Sequence, residues 1–293
     1  MISTNAKTGR LGMGIALALL LACGFLAATV VGAGSAAARA VSYKHKGFNL
    51  SGANQKRRLT VRCPKRRVPL GGGMTSSPTP SADGEGIYPH SYERLGVQHG
   101  YHSTVVLFDP SPGSTTARHV KLQVACVRKQ KHVTPPHTTI YVNPGETKTA
   151  VATCPGRRHL FGGGFQRTDF VARGGDYITE SRAISSKSWS VTGTAFGGFG
   201  GELTAIAYCW HSKKPLVTEV SASASVAPGQ FATATTPSCR RGHIVFGGFS
   251  TSPAGSLLFT NGSFTGNGGW EASGMNRFGP AANIAAYGYC LKL

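Results

Sequence analysis

The sequence predicts an all-β protein made of three tandem repeats, each an antiparallel β-sandwich tied by one disulfide. Three observations support this fold class. Glycine supplies 40 of the 293 residues and recurs in pairs and triplets, which fit close packing of strands. Short β-rich segments separated by turn sequences run along the chain, as in small sandwiches. A cysteine–glycine motif also recurs three times, which indicates a repeat architecture. After residue 40, no segment shows a convincing helical period.

Residues 1–40 have the organisation of a secretory signal peptide. Lys7 and Arg10 precede an uncharged apolar stretch. The stretch ends near Ala38-Arg39-Ala40, which fits the small-x-small pattern of a signal peptidase site, so we expect cleavage after Ala40.

Two alternatives for this segment stay open. An uncleaved signal anchor is one, because the uncharged stretch is long enough to span a bilayer. Lipidation at Cys23 is the other, although apolar sequence continues past that cysteine. All three readings place residues 41–293 outside the cytoplasm, secreted or associated with the cell envelope, and only the uncleaved segment would contact the membrane.

The three repeats open and close alike. They open with CPKRRVPLGGGM at Cys63, CPGRRHLFGGGF at Cys154 and CRRGHIVFGGF at Cys239. Counting from these cysteines aligns three large apolar residues, Leu70, Phe161 and Phe246. The repeats close at Cys126, Cys209 and Cys290, and Trp189 and Trp270 each lie twenty residues before the closing cysteine. The predicted domains are 41–133, 134–214 and 215–293.

The repeat selects one disulfide pairing out of the 15 that six cysteines allow. An even number of cysteines in an exported chain indicates disulfides. A zinc cluster is disfavoured because the chain has no CxxC pair. Equivalent repeats require equivalent bridges, which are Cys63–Cys126, Cys154–Cys209 and Cys239–Cys290.

About six short strands are expected in each repeat. In the second, strands are predicted over 138–142, 147–153, 160–165, 176–182, 189–195 and 203–208, with a turn at 143–146. The bridge is expected to tie the first and last strands, and the glycines to serve close strand packing. The alternative architecture is one pseudo-threefold body resembling a β-prism, with each repeat supplying one sheet.

These motifs, from the CP opening through GGG and tryptophan to the closing Ala-Tyr-Cys, resemble a repeat of secreted actinobacterial proteins. The likeness covers essentially all of residues 41–293. The first copy departs from it by lacking the tryptophan, and the third by lacking a proline and one glycine. The resemblance implies an exported, disulfide-bonded β module and carries over no functional residues.

Charge is concentrated in the first repeat. The whole chain has 31 Lys plus Arg against 11 Asp plus Glu, and residues 41–133 hold 15 basic and 4 acidic residues. Such a surface attracts polyanions. An anionic envelope polymer or glycan is therefore the expected partner; specific nucleic-acid recognition is not, since no known motif for it is present. The predicted contacts are Lys56, Arg57, Arg58, Arg62, Lys65, Arg66, Arg67, Arg128, Lys129 and Lys131.

A second candidate site is a segment rich in histidine and tyrosine in the first repeat. Polar aromatics and histidines on a loop suggest a ligand site. Their spacing fits no standard metal template, so we predict neither a metal nor a cofactor. The expected ligand loop contains Tyr88, His90, Tyr92, His99, Tyr101 and His102.

The sequence therefore predicts an exported, non-catalytic binding protein whose basic first repeat contacts an anionic polymer or surface. One alternative is a purely structural spacer of packed repeats. Another is a hydrolase that uses the His/Tyr segment. Enzyme chemistry has weak sequence support, because no nucleophile elbow, HExxH motif or P-loop occurs.

Overall fold

The computed structural model describes most of the chain after residue 40. Its ranges are 41–51, 55–78, 86–95, 100–108, 117–128, 133–167, 176–196, 198, 200–212, 215, 217–254, 257–276 and 279–291. The predicted signal segment lies outside these residues. Regular structure within them consists of antiparallel strands, which confirms the all-β prediction.

Within the described residues each repeat contributes six strands, as expected. The first has β1 (Val41–Leu50), β2 (Gln55–Arg62), β3 (Arg67–Ser77), β4 (Gly86–Leu95), β5 (Gly100–Phe108) and β6 (Arg118–Arg128). The second has β7 (His137–Val142), β8 (Thr147–Thr153), β9 (Arg158–Arg167), β10 (Asp176–Ala183), β11 (Ser188–Ala195) and β12 (Gly201–His211). The third has β13 (Val217–Val226), β14 (Phe231–Thr235), β15 (His243–Ser252), β16 (Leu258–Phe264), β17 (Trp270–Met275) and β18 (Ala282–Leu291).

All three predicted disulfides are present. Cys63–Cys126, Cys154–Cys209 and Cys239–Cys290 have S–S distances of 2.01, 1.99 and 2.09 Å. The expectation that each bridge ties the first strand to the last is wrong. Cys63 lies between β2 and β3, so the bridge joins the link between the second and third strands to the last strand.

The sheets do not coincide with the repeats. Sheet 1 has the order β1-β6-β3-β16-β17-β14, sheet 2 the order β2-β5-β4-β9-β12-β7, and sheet 3 the order β13-β18-β15-β10-β11-β8. Every sheet thus takes the first, sixth and third strands of one repeat and the fourth, fifth and second strands of another. Residues from all three sheets form one hydrophobic core, within a single compact unit, Ala40–Leu293.

A β-bulge sets the true alignment of the repeats. The bulged residue facing the last strand is Leu70 in β3, Phe161 in β9 and Val245 in β15. Val245, and not Phe246, therefore corresponds to Leu70 and Phe161. Counting from the cysteines misaligned the third repeat by one residue because its opening segment is one residue shorter.

Phe246 instead takes the place of the first motif glycine. Its counterparts are Gly71 and Gly162, and a Cβ at Gly71 would overlap the Phe246 ring, while one at Gly162 would lie 2.7 Å from it. The three positions converge, and only one of them holds a side chain. The two glycines thus make room for a single buried phenylalanine.

The second motif glycine receives an aromatic ring from the fifth strand. A Cβ at Gly163 would overlap Trp189, and one at Gly247 would overlap Trp270. In the first repeat Gly72 has the same role toward Tyr101, since a Cβ there would lie 2.5 Å from that ring. Tyr101 therefore stands where the other repeats have tryptophan.

The third motif glycine lies where two repeats meet in one sheet. A Cβ at Gly73 would overlap the carbonyl oxygen of Gly262, and one at Gly164 would overlap that of Tyr92. At Gly248 the separation from the carbonyl oxygen of Ser181 would be 2.5 Å. The GGG motif is therefore a packing device, as predicted, rather than a ligand loop.

Candidate functional site: a basic edge and three equivalent grooves

Strand β2 carries basic residues on its outward face. It is an edge strand of sheet 2 and pairs with β5. Alternation along a strand sends Leu59 and Val61 into the core, where both are buried. Lys56, Arg58 and Arg62 therefore share the opposite face, and all three are exposed.

Strand β1 extends this surface. It is an edge strand of sheet 1 and lies against β2, so the edges of two sheets meet along this line. Lys44 and Lys46 on β1 are exposed. We call the group formed by Lys44, Lys46, Lys56, Arg58, Arg62, Lys65 and Arg66 the basic edge.

The turn from β2 to β3 supplies the last two members of the basic edge. Arg67 N donates to Pro64 O at 3.1 Å and closes the turn. Lys65 and Arg66 inside it are exposed. Arg66 has a φ of 65°, a left-handed conformation that costs an L-residue about 1–2 kcal/mol. Strain of this kind is often found at functional positions.

The remaining predicted contacts have different environments. Arg67 is half-buried and its Nη1 donates to Ser42 Oγ at 3.1 Å and to Cys126 O at 3.2 Å. Its counterpart Arg158 donates to Thr134 Oγ1 in the second repeat, so this arginine has a structural role in both. Arg57 and Arg128 are exposed. Lys129 and Lys131 lie outside the described residues.

The prediction of a loop is wrong for the five of these residues that the structure describes. Tyr88, His90 and Tyr92 lie in β4, and Tyr101 and His102 lie in β5. The three tyrosines are 7 %, 5 % and 0 % exposed, so they form core and not a ligand surface.

Hydrogen bonding completes the structural role of these residues. Tyr101 donates its hydroxyl to Gly72 O at 3.1 Å, and burial raises its pKa well above the ordinary value. His90 is the extra residue of a bulge in β4, and His99 lies outside the described residues. Among the residues that the structure describes, no group of three metal-ligating side chains occurs.

Three corresponding grooves run along the outer faces of the sheets. Each groove is lined by the first and sixth strands of one repeat and by the end of the fourth strand of another repeat. Groove 1 on sheet 1 has a volume of about 460 Å³, groove 2 on sheet 2 about 400 Å³, and groove 3 on sheet 3 about 360 Å³. None of the three grooves was predicted from the sequence.

A tyrosine before the closing cysteine anchors grooves 2 and 3. Tyr208 Oη accepts from Arg94 N at 2.6 Å, and Tyr289 Oη accepts from Ala183 N at 2.8 Å. The corresponding residue in groove 1 is Ala125, and Gln123 Oε1 accepts from Phe264 N at 2.9 Å instead. The closing sequence Val-Ala-Cys, against Ala-Tyr-Cys and Gly-Tyr-Cys, was the available sequence signal.

The grooves also differ in charge. Groove 3 holds Arg182 and Glu219, and burial raises the pKa of Glu219 although Arg182 opposes the shift. Groove 2 holds Arg94 with two glutamates, and burial lowers the pKa of Arg94. Groove 1 contains two lysines and two histidines, and none of the described residues that line it is acidic: Lys44, His45, Lys121 and His243.

Comparison with known proteins assigns no function to this arrangement. No family model matches the chain, and no curated protein matches it in sequence. Within the described ranges, no helix is long and apolar enough to cross a membrane.

Proposed function

We propose that this protein is exported and binds an anionic polymer of the cell envelope or its surroundings through the basic edge. The observation that carries the proposal is a difference between equivalent strands. The outward residues Lys56, Arg58 and Arg62 of β2 correspond in register to Thr147, Thr149 and Thr153 of β8. The outward face of the equivalent edge strand therefore carries no charge in the second repeat.

Charge protection of an edge strand is the competing explanation. Natural sheets often place lysine on exposed edges to prevent aggregation. However, β8 is also an edge strand, and its outward threonines pair with hydroxyls of β11: Thr147 with Thr194 and Thr149 with Thr192, both at 2.8 Å. Because the outward face of β8 forms without cations, the clustering of cations on the outward face of β2 supports a binding role.

Export is part of the proposal. The three disulfides are consistent with an oxidising, extracellular environment. The first strand begins at Val41, directly after the proposed cleavage site, and Val41 is buried and pairs with Val127. N-terminal sequencing of the exported protein should give Val41 as the first residue. Retention of residues 1–40 would support the signal anchor instead.

Retention on immobilised polyphosphate across a salt gradient tests the binding. The variant Lys56→Thr/Arg58→Thr/Arg62→Thr copies the second repeat's own residues, so we expect it to fold and to elute at clearly lower salt. The matched control Lys148→Gln/Arg157→Gln/Lys187→Gln removes the same charge from the second repeat and should elute close to the wild type. Equal shifts in the elution salt of the two variants would contradict the proposal, because net charge alone would then explain retention.

A further inference from the structure

Groove 1 lacks the buried anchoring tyrosine of its counterparts and has a half-exposed tyrosine on its first strand instead. Ala125 replaces the anchoring tyrosine of the other grooves, and Tyr43 on β1 lies opposite Ala125 in register. The Tyr43 ring is 4.9 Å from the ring of Phe264 and remains 41 % exposed. The tyrosine of groove 1 therefore lies on the first strand of its repeat, whereas the tyrosines of grooves 2 and 3 lie on the sixth strand.

The exposed ring is held in place. Tyr43 Oη donates to Ile244 O at 2.6 Å, and burial of the hydroxyl raises the pKa of Tyr43 to about 12. A ligand that packs on this face meets a side chain already ordered, which lowers the entropic cost of binding. A held, half-exposed aromatic ring suits the flat face of a ligand ring.

Cationic and amide groups surround this ring. Lys121, on the same face of the sheet as Tyr43, lines the groove with the imidazoles of His45 and His243. Gln123 Oε1 accepts from Phe264 N, so its amide nitrogen is the part of that side chain that can donate to a ligand. In groove 3, by contrast, Arg182 is bound to Glu180 at 3.0 Å and lies over the Tyr287 ring at 5.4 Å.

These groups call for a ligand with one ring face, hydrogen-bond acceptors and negative charge. Single-stranded nucleic acid offers rings and charge, but its sites stack successive bases on successive aromatic side chains. Among the described residues that line groove 1, Tyr43 carries the one exposed ring of tyrosine, tryptophan or phenylalanine. We propose that groove 1 binds one acidic sugar unit, with the sugar ring on Tyr43 and its anionic group at Lys121, which lies on the same face of the sheet.

The groove adjoins the surface assigned to the polymer. Tyr43 lies on β1, which also carries Lys44 and Lys46 of the basic edge. A glycan chain lying along the basic edge can therefore place a sugar unit in groove 1. The inference rests on the proposed function, because it names the class of polymer that the basic edge contacts.

Binding of a galacturonic acid trisaccharide, followed by isothermal titration calorimetry, tests the inference. Tyr43→Ala should weaken binding at least about tenfold, as for a central aromatic contact. Lys121→Gln should weaken it about threefold, the effect of one exposed charge pair. Tyr43→Phe keeps the ring and should bind within about threefold of the wild type. The matched controls are Tyr141→Ala, at a tyrosine 54 % exposed on β7, and Lys148→Gln.

Two further ligands separate the outcomes. A neutral galactose trisaccharide should bind much more weakly than the acidic one. Binding of the acidic trisaccharide that is unaffected by Tyr43→Ala and Lys121→Gln would overturn the inference, as would absence of binding or stronger Tyr43-dependent binding of a thymidine trinucleotide. Polyphosphate retention that depends on Lys56, Arg58 and Arg62 would leave the proposed function standing in each of those cases, and its absence would remove the proposed function separately.

Discussion

Strands β2 and β8 occupy the same place in two repeats and differ in charge on their outward faces. Inward, both contribute small or medium apolar residues to the core, Leu59 in β2 and Ala150 in β8, and both are buried. Outward, β8 has a ladder of threonine hydroxyl pairs, while β2 has Lys56, Arg58 and Arg62. The fold therefore fixes the inward face and leaves the outward face open to specialisation.

This comparison assigns stability to the inward faces of the two strands and polymer binding to the outward face of β2. Substitution of a shared inward feature should cost folding free energy in any repeat. Substitution of an outward feature of β2 should cost polymer affinity and little else.

Removal of the central ring should have the largest effect. Phe246→Ala leaves a void where Gly71 and Gly162 offer no side chains to fill it, so we expect a loss of about 3–5 kcal/mol in unfolding free energy. Chemical denaturation under non-reducing conditions measures it. A loss below about 1 kcal/mol would mean that the three repeats do not share this packing centre.

Loss of the first bridge should come next. Cys63→Ser/Cys126→Ser opens a loop with a sequence separation of 63 residues, and we expect a cost of about 2–5 kcal/mol. Thermal unfolding of the oxidised variant and the oxidised wild type gives the comparison. An unchanged melting temperature would show that the bridge contributes nothing to this repeat.

Tyr101→Phe tests whether the tyrosine acts as core. The change removes the hydroxyl that donates to Gly72 O and keeps the ring against that glycine, so a loss of about 1 kcal/mol is expected. Polyphosphate retention should stay at the wild-type salt concentration. Weaker retention without lower stability would indicate that Tyr101 contacts the ligand.

Arg66→Gly should have a small effect of opposite sign. Glycine tolerates the φ of 65°, so the variant should gain about 0.5–1 kcal/mol after the entropic cost of glycine. It also removes one cation from the basic edge, so it should elute at slightly lower salt. Higher stability with unchanged retention would exclude Arg66 from the contact surface.

The sequence allowed the strands and bridges to be predicted because both follow from local pattern. The predicted segments 147–153 and 189–195 match β8 (Thr147–Thr153) and β11 (Ser188–Ala195) within one residue. The partners of these strands across repeats were not predictable in the same way. Strand pairing between repeats depends on the carbonyl that each third glycine admits, and such a contact leaves no local signature beyond the glycine itself.

The sites were predicted less evenly. The density of basic residues along the sequence predicted the position of the cations. The structure was needed to show that Arg58 points outward and that Arg67 donates hydrogen bonds to Ser42 and Cys126. The tyrosines were misread because a polar aromatic in a long segment suggests a loop, whereas Tyr101 is core in the place of a tryptophan. Groove 1 required register, since it depends on Ala125 lying opposite Tyr43.

The central claim is that the position of the cations on β2, and not their number, confers polymer binding. Moving them tests it directly, with Lys56→Thr/Arg58→Thr/Arg62→Thr combined with Thr147→Lys/Thr149→Arg/Thr153→Arg, which keeps the net charge. The measurement is the slope of log affinity for polyphosphate against log salt, and each contact contributes roughly 0.9 in B-DNA. We expect the slope to be smaller than that of the wild type by about 2, because the moved cations lose the neighbours Lys44, Lys46, Lys65 and Arg66. A slope and affinity equal to those of the wild type would contradict the account.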